Sequence, residues 1–469
     1  MTQIPVCNPR TGQVDYAFDE PEEVSLSVKV GKLRSSQKNW CRRSVEERGQ
    51  ILDDFVTALN HRRDPLAEAL SIDTGRWALS LMEIDALQGI TRNRINQAID
   101  VLAERRIAAT ERSVSHLQVY VPFPVVAVIS PWNYPLILSF LDAVPALLAG
   151  CSVIIKPSEV TPRFIEIIHT ILAEVPQLQP VVEILAGTRV TGENLIKMTD
   201  AVNFTGSVET GRRVAASAAS QLKPAFLELG GKDPAIVLPS ADLEDSASAI
   251  MHCAVVNTGQ ACFSIERVYV HESQSSEFID RMCTLAERVT LNNEDIRVGD
   301  IGPFISNRQA LVAETHLADA VEKGARVKTG GKIERYGGGY WLHPTVVTDV
   351  NHSMLLMTDE TFSPIVPIMV YTDEQEAVRL ANDSEFGLSA AVFGSESDVE
   401  RVGLQLESGG IYCNDVDLIG SADDSAEKMS FKHSGLGGSR YGPEGLTRFT
   451  RTQSLVFQHG QPTSIHALS

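Results

Sequence analysis

The sequence predicts an α/β protein with two doubly wound domains and a small additional β arm. Strand-like and helical runs alternate between residues 125 and 221, the order expected of a parallel sheet with helices on both faces. The alternation begins again after "PAIVLP" (234–239). Two extended segments, 106–124 and 450–469, flank these regions. Because domains usually span about 100 to 200 residues, a chain of 469 residues is also expected to contain two or three.

The first half of the chain begins with helices and then changes to alternating strands and helices. Residues 20–105 carry apolar residues at three-to-four spacing among charged ones, which is typical of amphipathic helices. The β-branched run "HLQVYVPFPVVAVIS" (116–130) is strand-like, with prolines at its turns. The strands expected after it are 152–157, 181–187 and 201–207, and the helices are 136–149, 161–174, 192–198 and 208–221.

The second half predicts a further α/β unit and a last isolated strand. The elements expected there are strands 267–272, 344–350, 365–371, 389–395 and 450–458, helices 275–290 and 374–382, and a glycine-rich turn at 336–340. These patterns indicate one α/β unit that ends near 231 and a second that begins after it.

Composition and charge exclude several classes of protein. The chain has 60 acidic and 41 basic residues, a net charge of −19, and no dense Lys/Arg block, so neither nucleic acid nor a membrane surface is an expected partner. Its seven cysteines include no CxxC pair, which favours a reducing, cytoplasmic location and argues against a disulfide framework or a metal site. The N-terminus predicts no targeting peptide. The apolar span 135–150 is interrupted by Asp142 and Pro145 and is shorter than the ~20 residues of a membrane span.

Polar residues follow three of the predicted parallel strands, in "SPWNYP" (130–135), "KPSEVTP" (156–162) and "FTGSVETG" (204–211). Ligands of such sheets bind beyond the carboxyl ends of the strands. Gly206 and Gly211 begin a helix whose N–H groups could meet a pyrophosphate, although glycine turns at helix starts are common. Lys156 and Glu159 could bind ribose hydroxyls or belong to a solvated loop.

A carboxylate and a thiol are the candidate catalytic groups. Glu228 of "FLELGGKDP" (226–234) lies between two leucines and is either a general base or a paired carboxylate at a turn. Cys262 lies between the polar stretch "NTGQ" and a strand-like run, and a thiol suits attack on an aldehyde carbonyl. A free thiol has a pKa of ~8.5, so such a nucleophile needs nearby N–H groups or a helix N-terminus. Cys151 and Cys413, beside apolar strands, are interpreted as core residues.

The order of six motifs, PWNYP, KPSE, FTGS, ELGGK, GQAC and DETFSP (359–364), resembles the aldehyde dehydrogenase superfamily over essentially the whole chain. The resemblance implies two Rossmann-like domains and an arm. The first domain (1–105 with 125–231) would bind NAD(P), the second (232–440) would be catalytic, and the arm (106–124 with 450–469) would serve oligomerisation. It also implies that Cys262 is the nucleophile, Glu228 the general base and Asn133 the oxyanion donor. The positions implied for the cofactor site are Trp132, Lys156, Ser158, Glu159, Gly206, Ser207, Gly211, Leu229, Glu360 and Phe362.

The reaction implied by the resemblance is NAD(P)-dependent oxidation of an aldehyde to a carboxylic acid through a thiohemiacetal and a thioester. NAD is the expected cofactor because Glu159 would repel a 2′-phosphate, while Lys156 keeps NADP open as an alternative. A coenzyme-A-acylating enzyme and a non-catalytic protein with this fold are the other interpretations. Three features depart from the family pattern: Ser363 replaces a glycine, a longer polar loop (418–438) replaces Pro-Phe-Gly-Gly, and extra residues separate Ser434-Gly435 from Arg440.

The expected substrate is an apolar aldehyde, aromatic or medium-to-long aliphatic. Succinic semialdehyde dehydrogenases usually carry two arginines at the positions of Leu141 and Val256, and a buried carboxylate without a cation is costly. The remaining residues of the expected pocket, which could also simply pack the core, are Tyr134, Leu138 and Phe263. Lys428 or Lys432 of the polar loop is the alternative source of a cation. A homodimer or homotetramer is expected, with the arm covering open strand edges.

Overall fold

The computed structural model describes residues 2–109, 113–416 and 425–461, which form two large sheets, a three-stranded arm and three small strand pairs. The strands of the first large sheet are β5 (Val125–Ile129), β6 (Ser152–Lys156), β7 (Val182–Ile184), β8 (Ala201–Thr205), β9 (Ala225–Glu228) and β21 (Gly435–Leu436). They lie in the order β21-β9-β8-β5-β6-β7, and all are parallel except β21 at one edge.

This order places a topological switch point between β5 and β8. The chain runs from β5 through β6 to β7 and then returns to β8 on the other side of β5. In open α/β sheets a ligand binds at such a point, beyond the carboxyl ends of the strands. Along β5, Val126 and Val128 join one hydrophobic core, whereas Val125, Ala127 and Ile129 join another. The sheet is therefore buried on both faces, as expected of a doubly wound domain.

Eight helices belong to this part of the chain, together with the N-terminal hairpin β1 (Gln3–Cys7) and β2 (Val14–Asp19). The helices are α1 (Glu23–Trp40), α2 (Val45–His61), α3 (Arg63–Thr74), α4 (Ala78–Val101), α5 (Ile137–Ala149), α6 (Phe164–Ala173), α7 (Arg189–Met198) and α8 (Val208–Ala219). Helix α2 begins with a capping box between Ser44 and Glu47. In the described part of the chain, none of the helices combines the length and the apolar composition of a membrane span.

The second large sheet has seven strands. They are β10 (Asp233–Val237), β11 (Ile265–His271), β12 (Arg326–Val327), β15 (Thr345–Thr348), β16 (Ile365–Tyr371), β18 (Ser389–Phe393) and β19 (Gly410–Cys413). Their order is β12-β15-β16-β11-β10-β18-β19, parallel except at β12. The helices of this half are α9 (Leu243–Val255), α10 (Ser275–Arg288), α11 (Asn307–Glu322), α12 (Leu355–Thr358), α13 (Glu374–Asn382), α14 (Glu396–Gly403) and α15 (Glu444–Thr447).

The arm is an antiparallel sheet of β3 (Arg105–Ala108), β4 (Val114–Pro122) and β22 (Thr450–Gln458). Strand β22 pairs with β4 along its whole length, which gives the isolated C-terminal strand its partner. The strand-like run 116–130, with its turns at the prolines, forms two strands in different sheets, β4 and β5. Residues 110–112 and 462–469 of the predicted arm lie outside the described residues.

Several elements differ from the sequence prediction. Helices α9, α11 and α14 have no counterpart in the predicted pattern. Two short strand pairs join distant residues: β17 (Phe386–Gly387) with β20 (Phe431–Lys432), and β21 with β9 of the first sheet. The glycine-rich turn is confirmed, and connects β13 (Ile333–Tyr336) to β14 (Gly339–Leu342). Cys151 is buried as predicted, but the prediction for Cys413 is wrong, because that residue is exposed at the end of β19.

Candidate active site

A cavity of about 970 Å³ lies between the carboxyl edge of the first sheet and the amino edge of the second. Its volume is typical of small-molecule and cofactor sites, which span roughly 300–1,000 Å³. The predicted site residues that line it are Trp132, Asn133, Leu138, Lys156, Ser158, Glu159, Gly206, Ser207, Leu229, Cys262, Glu360 and Phe362. The predicted residues outside this lining are Gly211, Glu228, Tyr134, Leu141, Val256 and Phe263.

Cys262 follows a loop with an unusual backbone. Asn257, Thr258 and Gly259 have successive φ values of 54°, 60° and 68°, all in the left-handed region. This conformation costs a residue with a side chain about 1–2 kcal/mol, so the loop must be held by its surroundings. At Gly259 the backbone of Ser363 approaches so closely that a side chain has no room. The loop therefore packs directly against the residues that follow Phe362.

Side-chain hydrogen bonds hold this loop in place. Thr258 Oγ1 donates to the Gly302 carbonyl oxygen at 2.9 Å. Gln260 closes the loop, because its Nε2 donates to the Asn257 carbonyl oxygen and its Oε1 accepts from the Ile305 N–H, both at 2.9 Å. These partners explain the polar "NTGQ" stretch ahead of the thiol: its side chains replace the hydrogen bonds that a helix or strand would provide.

Asn133 lies directly beside the loop that carries Cys262. Its Nδ2 donates to the Gln260 carbonyl oxygen at 3.0 Å, and its own carbonyl oxygen accepts from Asn257 Nδ2 at 3.0 Å. A side-chain amide has two N–H donors. Among the described residues, the second Asn133 donor has no recorded partner, so it is available to an oxygen bound in the cavity.

Arg76 and Glu83 fix the position of Asn133, and sequence reasoning missed both. Arg76 is buried, and its Nη2 donates to Glu83 Oε1 at 2.8 Å and to the Asn133 carbonyl oxygen at 2.6 Å. Glu83 Oε2 accepts from the Leu136 and Ile137 N–H groups, both at 3.1 Å, where α5 begins. Helix α4 and the connection before it thereby anchor the turn after β5. No local spacing signals a contact between residues so far apart in the chain.

The surroundings of Cys262 hold its thiol in the protonated form. Burial, together with the Asp233 and Glu360 carboxylates, raises the pKa of Cys262 to about 12, and the charges of Lys428 and Arg440 counteract this only in part. The structure therefore differs from the expectation that N–H groups or a helix N-terminus stabilise a thiolate. At neutral pH a reaction of this thiol requires transfer of its proton to a base.

Glu228 ends β9 and is held from the C-terminal segment. Ser430 Oγ donates to Glu228 Oε2 at 2.9 Å. Arg440 and Arg448 both pair with the buried Asp142, and their charges reach Glu228. Glu228 is half-buried, between the first sheet and the polar segment that departs from the family pattern.

A second buried ion pair shapes the loop that contains Glu360 and Phe362. Lys232 Nζ and Glu266 Oε2 are 2.7 Å apart, and Glu266 also accepts from the Thr361 and Phe362 N–H groups at 2.7 and 2.6 Å. These bonds stabilise Phe362 in a left-handed conformation (φ 54°), with its ring edge-on to Trp132 at 5.5 Å. Lys232 and Glu266 were not predicted as site residues.

Glu360 reaches across the cavity to the first domain. Its Oε1 accepts from the Gly231 N–H at 3.1 Å. Burial and the neighbouring Glu266 raise the pKa of Glu360 to about 8. Glu360 can therefore offer a hydrogen-bonding carboxyl group to a ligand that binds between the two sheets.

The edge of the cavity beside β6 and β8 carries the other predicted cofactor residues. Lys156 is buried, and its Nζ donates to Glu159 Oε2 at 3.3 Å and to the Pro157 carbonyl oxygen at 2.9 Å. Ser207 caps helix α8, whose N-terminus opens onto the cavity. Free N–H groups at a helix N-terminus suit a pyrophosphate. These donors and the cavity volume fit a dinucleotide.

The predicted substrate residues are apolar or aromatic, and one of them, Tyr134, directly follows Asn133. The Tyr134 and Phe263 rings stack with centroids 6.4 Å apart, and Leu138 lines the cavity. Leu141 is buried and Val256 is half-buried. The Arg76 guanidinium lies 4.6 Å from the centre of the Tyr134 ring. The sequence did not predict a cation at this position.

Comparison with known proteins identifies the class. A model of the aldehyde dehydrogenase family matches residues 1–455, so the chain belongs to the aldehyde dehydrogenase family. It is 34% identical over 458 residues to 4,4'-diapolycopene aldehyde oxidase from a Methylomonas species, covering 96% of this chain and 85% of that protein. It is 34% identical over 436 residues to a Mycolicibacterium smegmatis protein provisionally assigned as an NADP(+) succinate-semialdehyde dehydrogenase, covering 92% and 84%.

Solved structures agree with this assignment. PutA from Anabaena variabilis, provisionally assigned as an aldehyde dehydrogenase, matches with a TM-score of 0.97 and 46% identity over 99% of both chains. Betaine aldehyde dehydrogenase from Staphylococcus aureus, solved with NAD+, matches with a TM-score of 0.92 and 27% identity over 99% of this chain and 93% of that one. The predicted family, fold class and NAD(P)-dependent aldehyde dehydrogenase activity are confirmed. The particular aldehyde remains a prediction.

Proposed function

We propose that the protein oxidises an apolar aldehyde to the carboxylic acid with NAD, using Cys262 as nucleophile, Asn133 as oxyanion donor and Glu228 as general base. One observation supports the roles of Cys262 and Asn133. The Asn133 amide is bonded to the carbonyl oxygen of Gln260, two residues before the thiol, so nucleophile and oxyanion donor line the same cavity. The proposal also assigns cofactor binding to 1–105 with 125–231, the nucleophile to 232–440, and oligomerisation to the arm formed by 106–124 and 450–469.

The proposed chemistry begins when the Cys262 proton passes to a base and sulfur attacks the carbonyl carbon. The oxygen of the resulting thiohemiacetal accepts hydrogen bonds from Asn133 and the Cys262 N–H. When bound, NAD+ would supply the acceptor for the hydride lost from the same carbon, and this oxidation would leave a thioester on Cys262. Glu228 takes a proton from water, water attacks the thioester, and the acid and the free thiol are released. The overall reaction consumes one aldehyde, one NAD+ and one water.

Product identity tests this reaction against the two other interpretations. With aldehyde, NAD and coenzyme A present, we expect stoichiometric carboxylic acid and NADH, because the proposed general base Glu228 would activate water. Acyl-coenzyme A as the main product would favour the acylating alternative. Absence of aldehyde-dependent NADH or NADPH formation across a broad aldehyde panel would favour the non-catalytic one.

The preference for NAD rests on the pairing of Lys156 with Glu159. The lysine ammonium already donates to Glu159 and to the Pro157 carbonyl oxygen, and half of the Glu159 side chain remains accessible at the cavity edge. A 2′-phosphate beside this carboxylate would meet a like charge, whereas ribose hydroxyls can donate to it. The M. smegmatis relative carries NADP(+) in its name, whereas the S. aureus enzyme was solved with NAD+. These two relatives therefore differ in the cofactor that they name.

The expected kcat/KM for NAD is at least about tenfold higher than for NADP, since one like-charge contact costs on the order of 1–2 kcal/mol near a surface. Replacing Glu159 by serine is expected to lower this ratio by about tenfold. Glu209→Gln is the matched control, because it removes a carboxylate elsewhere on the cavity edge and should leave the ratio unchanged. A wild-type ratio favouring NADP would refute the preference.

The preference for an apolar substrate rests on the apolar side chains at the predicted substrate positions and on the pairing of the nearby cation Arg76. Tyr134 and Phe263 stack there, and Leu141 and Val256 occupy the two positions where a semialdehyde enzyme would carry arginines. The nearby Arg76 is paired with Glu83 at 2.8 Å, so its charge is already neutralised. Resemblance to 4,4'-diapolycopene aldehyde oxidase, whose name specifies a long conjugated aldehyde, supports the same class.

Succinic semialdehyde is the second candidate substrate, and Lys428 is the observation that favours it. Of the two lysines considered as cation sources, Lys432 donates to the Asn382 and Ser384 carbonyl oxygens and pairs with Glu407. Lys428 instead acts electrostatically on Cys262. The name of the M. smegmatis relative points to the same substrate.

A panel of benzaldehyde, aliphatic aldehydes of increasing length, a long conjugated aldehyde and succinic semialdehyde separates the two candidates. We expect kcat/KM to rise along the aliphatic series, because each buried methylene contributes about 0.8 kcal/mol. Succinic semialdehyde being best by about tenfold or more, and losing this advantage in Lys428→Met, would establish the charged substrate instead.

The oligomer is proposed from the open edge of the arm. Within the described residues, β22 pairs with β4 on one side only, and its side chains are exposed along nearly the whole strand. Val456, with 63% of its surface accessible, lies among further apolar residues on this strand. An exposed strand edge of this length invites pairing with another chain. A homodimer or homotetramer would bury it.

Sedimentation velocity of the active enzyme is expected to give a dimer or tetramer of the 51.1 kDa chain. Val456→Asp should shift the distribution toward the monomer, because association would bury its charge. Leu222→Asp is the matched control: Leu222 is 96% exposed and lies outside the arm, so no shift is expected. A 51.1 kDa species alone, at concentrations where the enzyme is active, would contradict the proposal.

A further inference from the structure

A short segment near the C-terminus connects the edge of the first large sheet to a small strand pair in the second domain. We call residues 430–436 the bridging segment. Its strand β20 pairs with β17 in the second domain, and its strand β21 pairs with β9 at the edge of the first sheet. In the β21–β9 pair, Gly435 lies opposite Glu228. The segment thus reaches the proposed general base from the second half of the chain.

Backbone and side-chain hydrogen bonds fix this segment on both sides. The Leu229 N–H donates to the Ser434 carbonyl oxygen at 2.8 Å, and Ser434 Oγ accepts from the Gly387 N–H at 2.9 Å. The Ser434 N–H in turn donates to the Phe431 carbonyl oxygen at 3.0 Å, which closes the turn between the two short strands. The position of each residue in the segment is therefore set by both domains.

Ser430 begins this segment, and its hydroxyl donates to Glu228 Oε2 at 2.9 Å. The contact depends on Gly435, because a side chain there would come within 2.7 Å of Ser430 Cβ. The close packing restricts the serine to a position beside the carboxylate. The hydrogen bond to Glu228 consequently follows from the packing of the segment.

The charges around Glu228 explain why such a restraint is useful. Arg440 and Arg448 attract the Glu228 carboxylate, although both are already paired with Asp142. A general base must stand within hydrogen-bond reach of the water it activates, and a displacement of about 1 Å can cost about 100-fold in rate. A hydroxyl on one carboxylate oxygen opposes rotation toward the arginines and leaves the other oxygen for water.

We propose that Ser430 is a positioning residue for Glu228 and thereby sets the rate of thioester hydrolysis in this enzyme. The inference rests on the proposed role of Glu228 as general base. It assigns a role to the polar segment that replaces the usual glycine-rich sequence. Ser430 acts through Glu228 on the second half of the reaction and leaves thiol attack and hydride transfer unaffected.

Stopped-flow NADH formation separates the two halves of the reaction. In Ser430→Ala we expect the burst rate constant to stay within about twofold of wild type, while steady-state turnover falls about tenfold, since a misplaced base loses part of its catalytic factor of 10²–10⁴. Ser430→Thr keeps the hydroxyl and should restore turnover. Ser276→Ala is the matched control, since it removes an exposed hydroxyl on α10, outside both the bridging segment and the cavity lining. Ser430→Cys, nearly isosteric with serine, should show the same imbalance as alanine even if the alanine variant loses stability.

Combination with Glu228→Gln distinguishes the possible failures. If Ser430 acts through Glu228, adding Ser430→Ala to Glu228→Gln should change turnover by less than about twofold. An equal effect of Ser430→Ala in both backgrounds, or an unchanged ratio of burst to steady-state rate in the single variant, would overturn the inference. If Glu228→Gln alone leaves steady turnover unchanged, the general-base proposal itself fails.

Discussion

Replacement of Cys262 by alanine is expected to abolish aldehyde oxidation, with kcat/KM falling by about four orders of magnitude or more. Removal of a nucleophile that works with other groups as a unit costs nearly the whole catalytic effect of that unit. In this protein the remaining groups, Asn133 and Glu228, have no covalent intermediate to stabilise or hydrolyse once the sulfur is gone. Aldehyde-dependent NADH formation, measured with enzyme concentrated enough to detect slow turnover, gives the loss directly.

Cofactor binding should survive this substitution, since the dinucleotide donors on the first domain do not depend on the thiol. Calorimetric titration with NAD is expected to give a Kd within about threefold of wild type, a change below 1 kcal/mol. Cys413→Ala is the matched control, because it removes an exposed thiol at the end of β19 and should leave both activity and binding intact. Retention of about a tenth of the wild-type rate in Cys262→Ala would reject the assignment of the nucleophile.

Replacement of Glu228 by glutamine is expected to slow steady-state turnover by about 10²–10⁴-fold, the usual contribution of a general base. The amide keeps the shape of the side chain and can still accept from Ser430, but it cannot take a proton from water. Thiol attack and hydride transfer precede this step, so NADH should appear as a rapid burst followed by a slow phase. Stopped-flow absorbance records both phases.

Glu193→Gln is the matched control for this variant. Glu193 also lines the cavity, but it pairs with Arg189 and lies on α7, where the proposal gives it no proton to transfer. We expect its burst and steady-state rates to match those of wild type. Unchanged steady turnover in Glu228→Gln would show that another group activates the water.

The elements that local patterns encode were predicted from the sequence. The alternation of apolar strands and amphipathic helices from 125 to 221 predicted β5 to β8 and α5 to α8. The polar residues after β5, β6 and β8 could be placed on one cavity, because the carboxyl ends of parallel strands meet at one edge of the sheet. Cys262 was distinguished from the other cysteines by its polar approach, which the structure explains through the loop held by Thr258 and Gln260.

The residues missed from the sequence act through contacts between distant segments. Arg76 reaches Asn133 from the connection between α3 and α4, Glu266 holds the loop of Phe362, and Ser430 reaches Glu228 from the C-terminal region. No spacing rule connects such positions. The left-handed Thr258 was equally unpredictable, since a β-branched residue adopts that backbone only when tertiary hydrogen bonds hold it.

The raised pKa of Cys262 changes how the nucleophile is understood. A thiol with a pKa of about 12 is protonated throughout the neutral range, so proton transfer must accompany attack. The thiolate fraction falls about tenfold for each pH unit below that value. Burial raises the pKa of Asp233 to about 7. When Asp233 is protonated, its charge no longer raises the pKa of Cys262.

Mass spectrometry of the acyl-enzyme tests the central proposal most directly. Glu228→Gln is mixed with aldehyde and NAD, quenched in acid during the slow phase and digested. We expect the acyl group of the aldehyde on the peptide that contains Cys262, in an amount matching the NADH burst, and no adduct when NAD is omitted, because oxidation must precede thioester formation. A burst of NADH without an acyl group on Cys262, or with the acyl group on another residue, would contradict covalent catalysis by this thiol.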